Sequence, residues 1–130
     1  MSSNNVEVVA ALYRAFASRD FAALPRLISP AITVRQTELL PWGGTFEGFA
    51  GFQRFTELLL GNVDSLVTPE EYVDAGDRVV AIARTLGHVR KNGAPFDLRA
   101  VHVWELRDGK AIRFEAYIDT PAMLDALARP

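Results

Sequence analysis

The sequence has no cysteine among its 130 residues and only two histidines. The lack of cysteine excludes disulfide frameworks, cysteine-ligated zinc or iron–sulfur sites and thiol catalysis. Two histidines are too few for a three-histidine metal site, so we expect no metal. Fourteen basic and sixteen acidic residues give a net charge of −2, which indicates binding to neither nucleic acid nor an anionic membrane surface.

Long apolar runs are missing as well. No stretch approaches the roughly 20 apolar residues that a membrane helix requires. The first five residues are polar and do not resemble a secretory signal. With 49% hydrophobic residues, the chain is long enough to bury a core. We therefore expect one cytoplasmic domain over residues 1–130, with no membrane partner.

Helical periodicity dominates the first half of the chain and returns at its end. The stop and start signals are glycine, proline and short polar side chains. The predicted helices are residues 4–16 with a capping box of Asn4 and Glu7, a short helix from Asp20 to Ser29-Pro30, residues 49–60 ended by Gly61, and a last helix opening at Thr120-Pro121.

Alternating apolar and polar residues predict strands elsewhere. Residues 32–37 form the first, and several more follow from Ser65 onward. Gly76-Asp77, Asn92-Gly93 and Asp108-Gly109 predict tight hairpin turns between the later strands. Helices followed by an antiparallel meander indicate an α+β fold with helices on one face of the sheet.

The last hairpin leaves two alternatives for the inner face of the sheet. A two-residue turn places His102 opposite Glu115, whereas a three-residue turn with Gly109 left-handed places it opposite Phe114. We choose the second because it separates apolar from polar side chains. The inner face then holds Ala100, His102, Trp104, Ile112, Phe114, Ala116 and Ile118.

The same reasoning on the preceding strand predicts an inner row of Val80, Ile82, Arg84 and Leu86. The inner surface is then mostly apolar, with Arg84 and His102 as its main polar groups. Apolar walls with a few convergent polar side chains are typical of a small-molecule pocket. A buried arginine or histidine needs a partner or a ligand because its burial is costly.

Four segments carry a resemblance that covers nearly the whole chain. They are Tyr13-Arg14-Ala15-Phe16 with Arg19-Asp20, Phe46-Glu47-Gly48, Arg107-Asp108-Gly109-Lys110, and the closing run from Arg113 to Thr120. In their order and spacing the sequence resembles the nuclear transport factor two-like superfamily, in particular its SnoaL-like, ketosteroid-isomerase-related branch. The resemblance implies a cone-shaped α+β barrel in which a curved antiparallel sheet wraps around helices, with a cavity at the open end. It also implies a homodimer formed through the outer face of the sheet.

The sequence departs from the steroid isomerases of this superfamily at their catalytic positions. The carboxylate base of those enzymes is matched by Gln36, and their two oxyanion donors by Leu12 and His102. An amide cannot take up a proton at neutral pH. We therefore predict no useful steroid isomerase activity.

Two other activities of the superfamily lack their acids here. Arg84 matches the arginine of the limonene epoxide hydrolases, but Leu86 and Ala116 stand where their two acids are expected. Ala116 also stands near the essential acid of the SnoaL cyclases. Neither side chain can transfer a proton.

Three residues are the candidate catalytic groups. His102 is the only predicted inner-face group that titrates near neutrality, and we assign it as acid/base. Arg84 and Gln36 are assigned to polarise a substrate oxygen. The candidate ligand-binding residues are Trp42, Trp104, Tyr13, Phe16, Leu86, Phe114, Ala116 and Ile118.

The remaining titratable candidates receive structural interpretations. His88 is expected near a hairpin tip and exposed, and Asp119 is expected to start the last helix. Glu115 is expected on the outer face. For His102, burial and the expected neighbouring guanidinium of Arg84 both predict a pKa below the ordinary value of about 6.5.

Two functions remain open. The first is a cofactor-independent isomerase, cyclase or hydratase that acts on a small apolar carbonyl compound. The second is a non-catalytic ligand-binding or dimerisation module of the same fold. A carboxylate in the cavity would favour the enzyme, and the sequence places none there.

Overall fold

The computed structural model describes residues 2–130 and forms three α-helices, a short 3-10 helix and a six-stranded sheet. In chain order these are α1 (Ser2–Ala17), the 3-10 helix (Phe21–Arg26), β1 (Ile28–Gln36), β2 (Gly44–Glu47), α2 (Gly48–Asn62), β3 (Val63–Ala75), β4 (Arg78–Val89), β5 (Pro95–Arg107), β6 (Lys110–Ile118) and α3 (Thr120–Ala128). The predicted α+β class is confirmed.

Several predicted boundaries of the helices are wrong. Because α1 already includes Ser2, Asn4 lies inside the helix and does not cap it. The 3-10 helix ends at Arg26, and Ser29-Pro30 belongs to β1. Gly61 lies inside α2, where its neighbours on the helix continue the hydrogen-bonded turns to Asn62.

Helix α3 is capped at its start by Asp119, the residue before Thr120. The Asp119 carboxylate accepts a hydrogen bond from the Ala122 amide at 3.2 Å, and Pro121 occupies the first turn. A carboxylate at this position satisfies an amide that has no partner within the helix. Asp119 is therefore a helix-start residue, as predicted.

The sheet is curved and open, with the strand order β2-β1-β6-β5-β4-β3. All neighbouring strands are antiparallel except β1 and β6, which pair in parallel. The expectation of a wholly antiparallel sheet is wrong at this one pair, because β1 and β6 are separated in the chain by β2, helix α2 and strands β3 to β5 and are not joined by a tight turn. Helices α1 and α2 pack on the concave face.

The hairpin between β5 and β6 combines a two-residue turn with a bulge. Asp108 and Gly109 both have positive φ, at 53° and 76°, and Arg107 pairs with Lys110. Glu105 pairs with Arg113 and Leu106 with Ala111, so Ile112 is an extra residue on β6.

His102 therefore lies opposite Ala116, and neither predicted register is correct. A two-residue turn alone would have set Glu115 beside His102 on the concave face. The bulge shifts the register by one residue, and a one-residue shift exchanges the faces of a strand. The predicted inner face is confirmed except at Ile112, which is the half-buried bulge residue, whereas Ala111 is fully buried. Trp104 lies opposite Phe114, and the bulge that sets this face is not shown by the turn sequence.

On β4 the predicted inner row is wrong. The concave row is Val79, Ala81, Ala83 and Thr85, all buried, whereas Val80, Ile82, Arg84 and Leu86 lie on the convex face. Ala81 pairs with Tyr72 on one side and His102 on the other. The ring of Tyr13 from α1 lies near both, at centroid distances of 6.2 Å and 5.8 Å. A small side chain at position 81 leaves the space that this ring occupies.

Candidate functional site

A cavity of about 110 Å³ lies between the concave face of the sheet and helices α1 and α2. Nine of the predicted site residues line it: Tyr13, Phe16, Gln36, Trp42, His102, Trp104, Phe114, Ala116 and Ile118. Arg84 and Leu86, which were also predicted there, do not. An engineered apolar cavity of about 150 Å³ holds benzene, so this volume suits a compact ligand or one that extends toward the mouth.

Aromatic rings form much of the cavity wall. Phe16 stacks on Phe52 with centroids 5.6 Å apart, and Phe114 packs against Trp104 at 4.3 Å. Phe55 completes the cluster with its edge toward Phe114. Such a wall favours flat apolar ligands, because ring faces and edges pack well against other π-systems.

Trp42, a predicted ligand-binding residue, is a buried part of the wall, with 2% of its surface exposed. Its loop turns sharply, since the Leu40 amide bonds the Thr37 carbonyl and the Gly43 amide bonds that of Leu40. A Cβ at Gly43 would collide with the Thr37 carbonyl. Glycine at this position permits the close approach that turns Trp42 inward.

Three side chains form a hydrogen-bonded chain at the inner end of the cavity. The Trp104 indole Nε1–H donates to the Tyr13 hydroxyl at 3.0 Å, and Tyr13 Oη lies 2.6 Å from His102 Nδ1. An indole N–H only donates, so the tyrosine oxygen accepts from Trp104, and His102 Nδ1 is the only acceptor for the tyrosine proton among the described residues. We therefore assign the histidine tautomer that accepts at Nδ1, in which every hydrogen of the three groups at this contact has a partner. The histidine is thereby fixed in position by α1 and by its neighbour on β5.

Burial determines the protonation states of His102 and Tyr13 in this hydrogen-bonded chain. Desolvation lowers the pKa of His102 to about 4, so the imidazole is neutral at pH 7. The predicted direction is confirmed, but the guanidinium of Arg84 does not contribute. Burial also raises the pKa of Tyr13 well above its ordinary value, against the lowering effect of the bond from Trp104, so its hydroxyl keeps the proton.

These assignments determine which nitrogen of His102 faces the cavity. Nδ1 accepts from Tyr13, so in the neutral ring Nε2 carries the hydrogen. Among the described residues, Nε2 has no hydrogen-bond partner. Every fully enclosed side-chain nitrogen or oxygen of these residues does have a partner, so Nε2 is not fully enclosed. Nε2–H therefore opens onto the cavity as a donor.

Gln36 supplies a complementary group. Its Nε2 donates to the Ala116 carbonyl at 3.4 Å, and the residue is 2% exposed and lines the cavity. The amide oxygen then points away from that carbonyl as an acceptor. His102 and Gln36 thus offer the cavity one donor and one acceptor on mostly apolar walls, whose other polar residues are Arg19, Thr56, Ser65 and Thr85.

The Tyr13 hydroxyl is the functional group that the sequence did not reveal. Tyr13 was predicted only as an aromatic contact, and the oxyanion-donor tyrosine of the resembling enzymes was matched to Leu12. In the structure Leu12 is fully buried in the core, while Tyr13 reaches the cavity. Helical periodicity places both residues on the inner side of α1 and does not distinguish their neighbours.

The predicted catalytic Arg84 points away from the cavity. Its Nε donates to Asp97 on the neighbouring strand at 2.8 Å, and this carboxylate raises the pKa of the guanidinium. Glu115 lies on the same outer face and pairs with Arg113 at 3.2 Å, as expected of an outer-face residue. His88 is exposed near the hairpin end, also as expected.

Within residues 2–130 no cluster of three histidines or acids could hold a metal ion. No acidic side chain lines the cavity in this part of the chain, and Arg19 is its only charged residue. None of the described helices has the length and apolar character needed to cross a membrane.

Comparison with known proteins identifies the family. Residues 9–114 match the model of the SnoaL-like domain. The structure is similar to an NTF2-like protein of unknown function from Burkholderia pseudomallei, with 26% identity, 97% of this chain and 98% of that chain covered, and a TM-score of 0.89. TerC, crystallised with polyporic acid, has 30% identity, coverage of 97% and 99%, and a TM-score of 0.87.

A third similar structure has a lower sequence identity to this chain. IdmH from Streptomyces antibioticus, a candidate polyketide cyclase, has 23% identity, coverage of 95% and 98%, and a TM-score of 0.77. No match to the sequence is found among curated proteins.

Proposed function

The chain belongs to the SnoaL-like family, and we propose that it binds a small, flat, apolar compound through a carbonyl oxygen. The observation that carries this proposal is the His102 Nε2–H that faces the cavity while Tyr13 holds Nδ1. In the low-dielectric interior of an apolar site, a hydrogen bond from this donor to a ligand acceptor is electrostatically stronger than in solution. TerC, crystallised with polyporic acid, supports small-molecule binding by a protein of this fold.

Gln36, together with His102, would fix the orientation of a bound ligand. A ligand that accepts from His102 and donates a hydroxyl or enol proton to the Gln36 amide oxygen satisfies both groups. A ligand without these atoms leaves buried polar groups unpaired, which is costly. We therefore propose a carbonyl compound with a second, hydroxyl-type oxygen.

The same geometry assigns His102 as a donor and not as a base. Its pKa of about 4 makes it a weak proton acceptor, and Tyr13 already occupies Nδ1. Proton transfer from Nε2–H is also unfavourable, since it would require Tyr13 to give up a proton that burial stabilises. His102 polarises a carbonyl without exchanging its proton.

Carbonyl polarisation favours a second candidate function, cofactor-independent catalysis of the isomerase or cyclase type. A donor aimed at a developing oxyanion stabilises the transition state of enolisation and of carbonyl addition. No acid lines the cavity within residues 2–130, so the base would come from the substrate or water. Ketosteroid isomerisation needs a positioned base, and we propose that the protein lacks this activity.

Binding of 2-acetylnaphthalene and 2-ethylnaphthalene, followed by quenching of tryptophan fluorescence, tests the proposal. We expect the ketone to bind about tenfold more tightly, as one hydrogen bond in a dry site allows. His102→Phe should abolish the preference, while His88→Gln at the exposed histidine should keep it. Equal affinity of the wild type for both compounds would refute carbonyl recognition.

We also propose a homodimer through the convex face of the sheet. Tyr117 and Leu86 on that face are 54% and 40% exposed, and Val101, which pairs with Tyr117, is 36% exposed. Large apolar side chains gathered on one face indicate a surface that is covered in solution. Light scattering should give twice the chain mass for the wild type and the monomer mass for Tyr117→Arg. A monomeric wild type at micromolar concentration would overturn this proposal.

A further inference from the structure

Arg19 is the only charged side chain among the cavity-lining residues of the described chain. It lies just after α1, beside the start of β3, where the cavity meets solvent. Along α1, Arg19 and the proposed carbonyl site are about one helical turn apart, because Arg19 Nη1 bonds the Phe16 carbonyl and Tyr13, which bonds His102, lies three residues before Phe16, about 4.5 Å along the helix axis.

The backbone of Arg19 adopts a conformation that normally favours glycine. Its φ is 57°, its amide bonds the Phe16 carbonyl, and the Asp20 amide bonds the Ala15 carbonyl. This is the Schellman end of a helix, in which glycine is the usual residue at the left-handed position. A side chain kept there despite the strain is a feature that clusters at ligand sites.

The guanidinium is held in place by two backbone oxygens. Nη1 donates to the Phe16 carbonyl at 3.0 Å and Nη2 to the Ser65 carbonyl at 3.2 Å. Two carbonyls do not occupy all five N–H groups of an arginine, and they add no negative charge to neutralise it. The fixed group can therefore receive an anion at the edge of an apolar site.

We propose that the ligand is an aromatic acid whose carboxylate or acidic enol oxygen binds Arg19 while its carbonyl binds His102. This inference rests on the proposed function and adds the charge of the ligand to it. The absence of acids from the described lining supports the assignment, because nothing in the cavity repels an anion or pairs with Arg19.

Binding of 6-acetyl-2-naphthoate and its uncharged analogue 6-acetyl-2-naphthamide at pH 7.5 tests the inference. The wild type should bind the carboxylate about tenfold more tightly than the amide, as one charge-assisted contact allows. Arg19→Gly should reduce the ratio to about one, because binding of the carboxylate weakens by about tenfold relative to that of the amide. Arg19→Lys should keep most of the preference, and Arg26→Gln, at an exposed arginine of the 3-10 helix outside the cavity lining, should keep all of it.

Glycine suits the left-handed position, so the Arg19→Gly protein should be as stable to heat as the wild type. If the wild type binds both compounds equally, or if Arg19→Gly keeps the preference, the anion site is wrong and the carbonyl site stands. If neither compound binds, the proposed function is wrong and the anion site with it.

Discussion

The two faces of the central sheet differ in side-chain size in an unexpected direction. On β4 the concave face carries alanine at 81 and 83, while the convex face carries Val80 and Ile82. The small residues are the buried ones, because the aromatic ring of Tyr13 fills the space above them. The comparison shows that the inner face of a curved sheet is identified by what packs against it and not by its own hydrophobicity.

The faces also differ in how they hold polar groups. The convex face pairs its charges across strands, as in Arg84 with Asp97 and Arg113 with Glu115, where water screens both partners. The concave face holds a neutral imidazole bonded to a neutral phenol. Burial excludes charge there unless a partner offsets the desolvation, so this face binds through oriented hydrogen bonds.

The largest expected contrast is in packing. Trp104, on the concave face of β5, is 1% exposed, and Trp104→Ala should lower the free energy of unfolding by about 4 kcal/mol. Val101, on the convex face of the same strand, is 36% exposed, and Val101→Ala should cost less than about 1 kcal/mol. Urea unfolding of both variants measures the difference. Because the proposed dimer would cover Val101, both variants are measured in the monomeric Tyr117→Arg background, where an equally large loss for Val101→Ala would mean that Val101 is packed within one protomer.

The second contrast is in pH dependence. The folded pKa of His102 is about 4 against an unfolded value near 6.5, so the unfolded chain binds the extra proton. The free energy of unfolding has its full value above about pH 7 and falls by about 3 kcal/mol as the pH drops from 6.5 to 4. Urea unfolding between pH 8 and 4 should show this loss in the wild type and in His88→Gln, and a smaller one in His102→Gln. A curve for His102→Gln that parallels the wild type would contradict the assignment.

A third contrast tests why the concave row of β4 carries small side chains. Ala81→Leu adds bulk beneath the ring of Tyr13 and should cost about 2 kcal/mol, because a filled core resists added methylenes. Ile82→Leu, one residue away on the convex face, should change stability by less than about 1 kcal/mol. In the Ala81→Leu protein, the NMR signal of His102 should also show loss of its bond to Tyr13. An unchanged signal and full stability would mean that the space above Ala81 is not filled.

Much of the fold was predictable because its signals are local. Asn92-Gly93 and Asp108-Gly109 mark hairpins, since both turns need positive φ, and Gly93 and Gly109 have it. The helical stripe of Val9 to Phe16 shows directly which side of α1 is buried. These signals depend on neighbours a few residues apart in the sequence.

The errors come from features that depend on distant residues. The extra residue Ile112 on β6 is needed to seat Phe114 and Ala116 inside, and no turn motif encodes it. The bond from Tyr13 to His102 joins positions 89 residues apart and becomes visible only when α1 lies on the sheet. Most of the candidate wall was predictable as a set of inner-face aromatics, but its hydrogen-bonding geometry was not.

The smallest expected effect concerns the residue whose predicted role is wrong. Arg84 lies on the convex face, where its Nε meets Asp97 at 2.8 Å in a largely solvated pair. Surface ion pairs contribute little to stability because solvent screens them and both side chains lose freedom. We therefore expect Arg84→Gln to leave urea unfolding and the affinity for 2-acetylnaphthalene unchanged. Gln36→Leu is the matched comparison, since it removes an acceptor from the cavity and should weaken binding of a hydroxy-ketone such as 6-acetyl-2-naphthol, whose hydroxyl cannot reach its own carbonyl, but not of the plain ketone. Loss of ketone binding in Arg84→Gln, with the fold intact, would show that β4 presents its large row to the ligand after all.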